Sequence, residues 1–581
     1  MISPQPGIAT AAGQVRVMHP LSIVHGPALD AEPGIGALTL GGWLREITVA
    51  NADREALVFH DDGDGSSAET RWTHGQLWQE SMVVARALVA LGLGRGTRVG
   101  VLMTNRPEFL SSVFGIALAG GVAATFSTFS TPAELDHLVR TSACAVLLFE
   151  RRILARDFAA MLVGLEPGIA ATGSGPLALP HFPYLRHIAA IGSKADDSGA
   201  ILGWSELQAR GRAVDEALVE ARAAVVSPAD PAVLFFSSGS TARPKGILSA
   251  HRGVSLQLWR WRRFLAAGPD ARAWSANGFF WSGNFGMAVG GALSAGGSLV
   301  LQSTFQPAQA LDLMQRERAT MAFAWPHQWA QLEAAPNWRD VDLSSLRYVN
   351  PDNALGRHPT VRTDWQEPLA AYGNTETFTI STIFDSGTPE DEIAGSSGVP
   401  LPGNSLCIRD PLSGEVLPIG QSGEIAVKGA TLMLGYVGVP LAETLDADGW
   451  FPTGDGGFID AAGRLFWKGR LNDIIKTGGA NVSPAEVDAV IRQCPGVKVA
   501  QTVGVPDTLL GELVVSCIVP HADAGLDEAT VRDFARQALA SFKVPRRVLF
   551  FAQDALQLTG SAKIKVADLR ALAMQRLEDE G

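Results

Sequence analysis

A loop of hydroxyls, glycines and one lysine directly follows an apolar run. The run Ala232–Phe236 predicts a buried strand, and residues 237–246 read Ser-Ser-Gly-Ser-Thr-Ala-Arg-Pro-Lys-Gly. Hydroxyls, backbone N–H groups and a cation can together cradle phosphate oxygens. The order differs from the P-loop of GTPases, in which Gly-Lys-Ser/Thr opens a helix, because Pro244 precedes Lys245 and Gly246 follows it. The loop therefore predicts a phosphate site of another kind, although similar loops also occur as ordinary surface turns.

Further along the chain, other segments combine turn glycines with polar or charged side chains. They are Tyr-Gly-Asn-Thr-Glu at 372–376, Gly-Trp-Phe-Pro-Thr-Gly-Asp at 449–455, Gly-Arg-Leu-Asn-Asp-Ile-Ile-Lys-Thr-Gly-Gly at 469–479 and Leu-Thr-Gly-Ser-Ala-Lys-Ile-Lys at 558–565. Each one alone also reads as a turn with solvated side chains. In this order and spacing, together with the loop 237–246, they resemble the motifs of the adenylate-forming enzymes. That family comprises acyl-CoA synthetases, luciferases and peptide-synthetase adenylation domains, and the resemblance runs from about Trp72 to Arg570.

The resemblance implies a nucleotide site assembled from these segments. The loop would hold the β and γ phosphates of ATP, Glu376 would bind Mg²⁺ through a hard oxygen, and Tyr372 would offer a flat face to adenine. Thr375 would donate to a phosphate, and Asp455 and Arg470 would hold the ribose, since a carboxylate has enough lone pairs for a diol. The implied nucleotide-binding residues are Ser237, Ser238, Gly239, Ser240, Thr241, Lys245, Tyr372, Gly373, Asn374, Thr375, Asp455 and Arg470.

The C-terminal motifs imply a movable catalytic lysine. Lys563 matches the family lysine that stabilises the charge developing at the α-phosphate, so the expected catalytic residues are Lys563, Thr375 and Glu376. Asn472 stands at the hinge about which the small domain rotates, where the family usually has aspartate or lysine. Gly478 and Gly479 would admit the thiol arm of CoA. Ala562 and Gln557 depart from the family pattern around Lys563, and Lys565 is close enough to compete for its role.

The expected acid pocket carries no charge. Trp281 and Phe285 occupy the region where many acyl ligases have Phe-His, and the stretch 275–311 contains no charged residue. An α-ammonium buried there would have no partner, which argues against α-amino acids and for a bulky or long apolar acid. A second departure is Asn-Pro-Asp-Asn-Ala at 350–354, where the family commonly has a Gly-Gly-Ala turn that supports adenine.

Composition narrows the classes of partner. The net charge of −12 over 581 residues argues against a protein that binds nucleic acid, because such proteins usually carry a basic surface. The group Arg260, Arg262 and Arg263 suits a solvated helix face better than a polyanion patch. Four scattered cysteines favour a reducing compartment, and the first 20 residues lack an apolar signal region, so we expect a cytoplasmic protein. The apolar stretch 279–301 is rich in glycine, and we read it as a helix and a strand rather than a membrane span.

Apolar periodicity predicts an α/β protein. Helices alternate with short apolar strands from Thr73 onward, which implies crossovers and mainly parallel sheets flanked by helices. After Leu471 the pattern becomes a small α+β module. We therefore expect an N-terminal extension at 1–38, a large adenylate-forming domain at 39–471 and a small, mobile C-terminal lid domain that binds AMP at 472–581.

These observations predict an AMP-forming acyl-CoA synthetase. Its substrates would be a carboxylic acid, ATP and CoA, with Mg²⁺ as cofactor, and a homodimer is the candidate assembly. A stand-alone adenylation enzyme that loads a carrier-protein phosphopantetheine, a luciferase-type oxygenase and a non-catalytic adenylate-binding protein remain as alternatives. Pyrophosphate release separates the binder from the enzymes, and CoA consumption separates the synthetase from the carrier loader.

Overall fold

The computed structural model describes residues 20–61, 68–173, 175–192, 199–237, 244–368, 370–471, 475–482, 484–521, 524–552 and 566–580. Within these ranges the chain forms a large mixed α/β domain and a small C-terminal α+β domain, as the sequence predicted. Among the described helices, none combines the length and the apolar character needed to cross a bilayer.

Two mainly parallel sheets form the centre of the large domain. The larger has the order Ile201–Gly203, His187–Ile191, Val146–Glu150, Arg98–Leu102, Val122–Thr125, Pro231–Ser237, Lys245–Ala250 and Gly435–Tyr436, and its first six strands are parallel. The smaller has the order Met321–Phe323, Arg272–Ser275, Ser298–Gln302, Glu55–Asp61 and Ala68–Thr73, with only the last pair antiparallel. The strand Pro231–Ser237 thus ends at the carboxyl edge of the larger sheet, where open α/β sheets bind ligands.

Helices cover both sheets. The longer ones are Leu40–Asn51, His74–Ala90, Pro107–Leu118, Pro132–Ser142, Phe158–Leu165, Trp204–Arg210, Glu216–Ala224, His251–Phe264, Pro307–Arg316 and Pro326–Glu333. Local sequence explains where they begin. Thr73 caps the helix His74–Ala90 through a reciprocal pair of hydrogen bonds with Gln76, and Thr131 does the same with Glu134 for the helix Pro132–Ser142.

Antiparallel elements complete the large domain beside these sheets. A five-stranded sheet has the order Ile23–His25, Asn404–Arg409, Gly423–Gly429, Phe451–Ile459 and Leu465–Arg470, and a three-stranded sheet joins Ala371–Tyr372, Thr382–Ile383 and Val399–Pro400. The five-stranded sheet carries Asp455, and the three-stranded sheet carries Tyr372. The stretch read as one glycine-rich helix is instead three short pieces, Ser282–Asn284, the π-helix Phe285–Gly290 and Gly291–Leu293, followed by the predicted strand.

The C-terminal domain is a sheet with helices. Its strands run in the order Ala480–Val482, Ile475–Thr477, Gly511–Pro520 and Val497–Asp507, and Arg547–Phe550 pairs in parallel with Gly511–Pro520. Its helices are Pro484–Ile491, Glu528–Arg536 and Val566–Glu580. The helix Glu528–Arg536 is followed by an irregular segment, residues 537–543, that contacts the large domain.

Two expectations are corrected, one about the N-terminal residues and one about Arg260. Residues 20–38 are part of the large domain, since Ile23–His25 pairs with Asn404–Arg409 and Glu32 is buried. Glu32 forms an ion pair of 2.7 Å with Arg260, and both side chains are fully buried. Arg260 is therefore a core residue and does not belong to a solvated helix face, because a carboxylate 228 positions earlier compensates its charge.

Candidate active site

A cavity of about 730 Å³ lies between the carboxyl edge of the larger sheet, the antiparallel elements and the C-terminal domain. Its lining brings together sequence segments that are far apart. From the predicted set it contains Trp281, Tyr372, Gly373, Asn374, Thr375, Asp455 and Gly479. The convergence places the aromatic face, the hydroxyl and the carboxylate expected for a nucleotide around one volume.

Asp455 and Tyr372 are connected inside the cavity wall. The Tyr372 hydroxyl donates to Asp455 Oδ2 at 2.9 Å, and the Trp467 indole Nε1 donates to Asp455 Oδ1 at 3.2 Å. Asp455 is only 4% exposed. A carboxylate has enough lone pairs to accept from a vicinal diol as well as from fixed donors. Trp467 fixes the carboxylate, and the sequence motifs alone gave no sign of this role.

The segment 373–379 is held in an unusual backbone path. A Cβ at Gly373 would lie 2.2 Å from the Thr379 carbonyl oxygen, so only glycine fits there. Asn374 caps the single turn Thr375–Thr377 by accepting from the Thr377 amide at 3.0 Å. Phe378 and Thr379 then have φ values of +45° and +87°. Consecutive left-handed non-glycine residues are costly and are found mostly at functional sites.

Glu376 lies beside the lysine of the phosphate loop. Its Oε1 accepts from the Tyr436 hydroxyl at 2.8 Å, and Lys245 Nζ lies 4.7 Å from the centre of the Tyr436 ring. Tyr436 therefore contacts both groups and positions them relative to each other. The carboxylate of Glu376 keeps further lone pairs after this bond, which fits the hard oxygen ligand that Mg²⁺ requires.

Several predicted residues lie outside the described ranges. They are Ser238, Gly239, Ser240, Thr241, Asn472 and Lys563, together with Gln557, Ala562 and Lys565. In the strand register, Ser237 lies at the end of its strand opposite Lys245, and the backbone of Arg470 lies opposite that of Asp455 on the neighbouring strand. The carbonyl of Pro244, at the end of the loop, faces His137 Nε2 at 2.8 Å.

The two residues predicted for the acid pocket lie in different places. Trp281 lines the cavity, whereas Phe285 is fully buried behind the wall, 6.3 Å from the Phe235 ring centre. The π-helix Phe285–Gly290 turns this ring into the core. The apolar end of the cavity is aromatic, with Trp261, Phe280, Trp281, Phe323, Trp325, Trp329, Tyr348 and Trp365 in its lining.

The paired glycines of the C-terminal domain face this cavity. Gly479 has φ +77°, and a Cβ there would lie 2.2 Å from the Trp325 indole. Gly478 lines a second cavity of about 400 Å³, which shares Trp281, Trp325 and Phe542 with the first. Arg532, Arg536 and Arg546 also line it. The structure thus has a cavity with an aromatic end and a basic cavity, and the two meet at the glycine pair.

Comparison with known proteins agrees with this arrangement. A family model described as AMP-binding enzyme matches residues 44–437, and one described as AMP-binding enzyme C-terminal domain matches residues 486–563. A 3-[(3aS,4S,7aS)-7a-methyl-1,5-dioxo-octahydro-1H-inden-4-yl]propanoyl:CoA ligase of Mycobacterium tuberculosis is 33% identical over 538 residues, covering 91% of this chain and 99% of that protein. A feruloyl-CoA synthase of an Amycolatopsis species is 31% identical, covering 86% and 94%.

Solved structures are also similar to the whole fold. An amide bond synthetase from Marinactinospora thermotolerans aligns with a TM-score of 0.70 at 26% identity, covering 91% of this chain and 99% of that one. An anthranilate CoA ligase in complex with anthranoyl-AMP aligns with a TM-score of 0.61 at 25% identity, covering 95% and 99%. On the family models, the relatives and the converging site, this chain belongs to the AMP-binding enzymes of the adenylate-forming superfamily.

Proposed function

We propose that this protein is an AMP-forming acid–CoA ligase. The acid carboxylate attacks the α-phosphorus of ATP, the bond from that phosphorus to the pyrophosphate oxygen breaks, and an acyl-adenylate and pyrophosphate result. The CoA thiol then attacks the acyl carbon, AMP leaves and the thiol proton is released to solvent. The observation that carries the proposal is the meeting of a nucleotide-compatible cavity with a basic cavity at Gly478 and Gly479.

The nucleotide would be held by the residues around Asp455. Tyr372 presents its ring to the cavity while its hydroxyl is held by Asp455, so the ring is fixed for stacking on a base. Glu376 would bind Mg²⁺, which when present would neutralise charge on the phosphate oxygens. Lys245 supplies a fixed cation on the same side, as the end of the phosphate loop.

The second cavity favours CoA over a carrier protein as the thiol source. CoA carries phosphates at its nucleotide end, and arginine is well suited to bind phosphates. Arg532, Arg536 and Arg546 supply such groups next to the glycine pair. A phosphopantetheine arm on a carrier protein lacks that nucleotide end and keeps a single phosphodiester, so it offers fewer phosphate groups to the arginines than CoA does.

The lining of the first cavity favours a ring-containing apolar acid. Five tryptophans at its apolar end offer flat surfaces, namely Trp261, Trp281, Trp325, Trp329 and Trp365, and the basic groups in the described lining are Lys476 and Lys543. Flat rings pack efficiently against aromatic walls. The names of the two relatives above specify a fused bicyclic propanoate and a feruloyl group, which supports a ring acid over a straight-chain one.

The proposal is tested by assaying a panel of ring-containing and straight-chain acids for AMP formation with ATP, in the presence and absence of CoA. We expect CoA-dependent AMP release that is fastest with ring acids. Pyrophosphate release without CoA consumption would point to the carrier loader, and no pyrophosphate with any acid would point to a binding protein.

The role of Lys563 is tested by separating the two half-reactions. Lys563→Ala removes the cation at the α-phosphate, so we expect adenylate formation to fall by about 100-fold or more, on the order of 3 kcal/mol of barrier. Thioester formation from a supplied acyl-adenylate should be spared. Lys565→Ala is the matched control, and equal loss in both half-reactions would refute the assigned role.

A further inference from the structure

A buried cluster of charged groups joins the two domains beside the cavity. Lys543 Nζ lies 2.7 Å from Glu486 Oε1, within the C-terminal domain, and 3.2 Å from Glu134 Oε1 of the large domain. The side chains of Lys543, Glu486 and Glu134 are 5%, 4% and 10% exposed. Burial opposes the charge on Lys543, but the two carboxylates outweigh it and raise its pKa. The ammonium therefore stays charged between them.

Glu134 makes more than one contact across the interface. Its Oε1 also accepts from the Ala540 amide at 3.2 Å, and the neighbouring Thr131 hydroxyl donates to the Ala538 carbonyl at 3.3 Å. Its other oxygen, Oε2, accepts from the Thr131 amide at 2.9 Å as the helix cap. One carboxylate thus completes a helix N-terminus with one oxygen and holds the segment 538–543 with the other.

These contacts belong to the domain arrangement in which Gly479 lies against Trp325. Phe542, next to Lys543, contacts Trp281 with ring centres 5.7 Å apart, and both rings line the two cavities. Rotation of the C-terminal domain away from this arrangement would leave Glu134 without its partners across the interface. A buried carboxylate that loses a hydrogen-bonded partner pays a large desolvation penalty unless water reaches it.

We propose that Glu134 is a positioning residue that holds the C-terminal domain, through Lys543 and the Ala540 amide, in the arrangement used for the thioester step. The inference rests on the proposed function for the identity of that step. It assigns the charge of Glu134 to the second half-reaction and not to the first, because adenylate formation requires Lys563 to approach and the glycine pair to withdraw. Glu134 does not contact the reacting atoms in this assignment.

Glu134→Gln is the informative substitution. Glutamine serves as well as glutamate at the third position of a capping box, so the helix start is preserved. The glutamine oxygen that caps the helix is the only acceptor of the side chain, so its NH2 group faces the Ala540 amide and Lys543, and both contacts across the interface are lost. Lys543 keeps Glu486 as its partner. The change therefore removes the hydrogen bond and the ion pair of Glu134 across the interface and leaves the helix start in place. Asp136→Asn on the same helix, where Asp136 contacts His181 and Arg140, is the matched control.

Two measurements test the inference. In single turnover, thioester formation from a supplied acyl-adenylate should fall about tenfold in Glu134→Gln, while pyrophosphate release in the first half-reaction stays within about twofold; Asp136→Asn should change neither. Equal loss in both half-reactions, or no loss in either, would overturn the assignment.

The second measurement is independent of activity. The described cysteines Cys144, Cys407, Cys494 and Cys517 are buried, so spin labels can be directed to Leu412→Cys and Leu509→Cys, at positions that are 97% and 54% exposed, one on each domain. Glu134→Gln should reduce the population at the distance given by the arrangement described here. An unchanged distance distribution would overturn the inference even if the proposed activity were correct. If the distribution shifted in a protein without ligase activity, the result would support the positioning role of Glu134 and refute only the proposed function.

Discussion

Gly479→Ala should separate the half-reactions by steric means. The new methyl group would lie 2.2 Å from the Trp325 ring, well inside van der Waals contact. Alanine also has to adopt φ +77°, which costs roughly 1–2 kcal/mol. That backbone cost belongs to the local turn and is present in either domain arrangement, so it cancels between the half-reactions. The clash exists only where the glycine pair faces Trp325.

The clash alone therefore determines the expected difference. Overpacking of this kind costs about 1–3 kcal/mol, even when a ring can shift. This corresponds to a loss of roughly 5- to 150-fold in the rate of thioester formation relative to adenylate formation. The assay is single-turnover formation of acyl-CoA from supplied acyl-adenylate, compared with pyrophosphate release by the same variant.

Gly414→Ala is the control for the conformational cost of placing alanine at a positive φ. Gly414 has φ +75°, and a Cβ there would meet nothing within 4 Å. It should lower stability by a similar backbone cost and leave the ratio of the two rates unchanged. If Gly479→Ala slowed both half-reactions equally, or neither, the reasoning that ties the glycine pair to the thioester step would be refuted.

Two further predictions concern carboxylates. Asp455→Asn should raise the KM for ATP by about 10- to 150-fold, because hydrogen bonds to a charged group contribute about 1.5–3 kcal/mol. Asparagine leaves one acceptor oxygen for the donors Tyr372 and Trp467. An unchanged KM would exclude a ribose contact. Burial raises the pKa of Asp488 from 3.8 to about 6, against the hydrogen bond from Thr502. Because the folded state holds this proton more tightly than the unfolded state, the free energy of unfolding falls as the pH rises from about 3.8 through about 6, by up to about 3 kcal/mol at pH 7. Asp488→Asn should therefore raise Tm at pH 7.5 and not at pH 3.5, and equal shifts at both pH values would contradict the prediction.

Much of the fold was readable from local patterns. The helix Pro107–Leu118 and the strand Val122–Thr125 are examples, because proline at the first helical position and a short apolar run after a pair of glycines are strong local signals. Elements that depend on distant partners were less accessible. The strand Ile23–His25 exists because Asn404–Arg409 offers it an edge, and no local pattern announces that pairing.

The candidate site likewise contains residues that the sequence predicted and residues that it did not. Tyr372, Glu376 and Asp455 were predicted because they belong to recognisable motifs, and the structure places Tyr372 and Asp455 together in the wall of the cavity. Tyr436 and Trp467 were missed as positioning residues because their function arises only from tertiary contacts. Phe285 was misplaced because a π-helix changes which side chains of the segment face inward, and apolar sequence alone does not specify that geometry.

The Glu32–Arg260 pair has a practical consequence for shortened forms of the protein. A chain that begins at Leu38, where the extension was expected to end, would keep Arg260 in the interior and discard its counter-ion. Stranding a buried charge in this way typically costs 3–5 kcal/mol, a large part of the stability margin of an ordinary domain. Trimming for crystallisation or fusion should therefore stop ahead of Pro20, so that the guanidinium keeps its carboxylate and the edge strand keeps its neighbour.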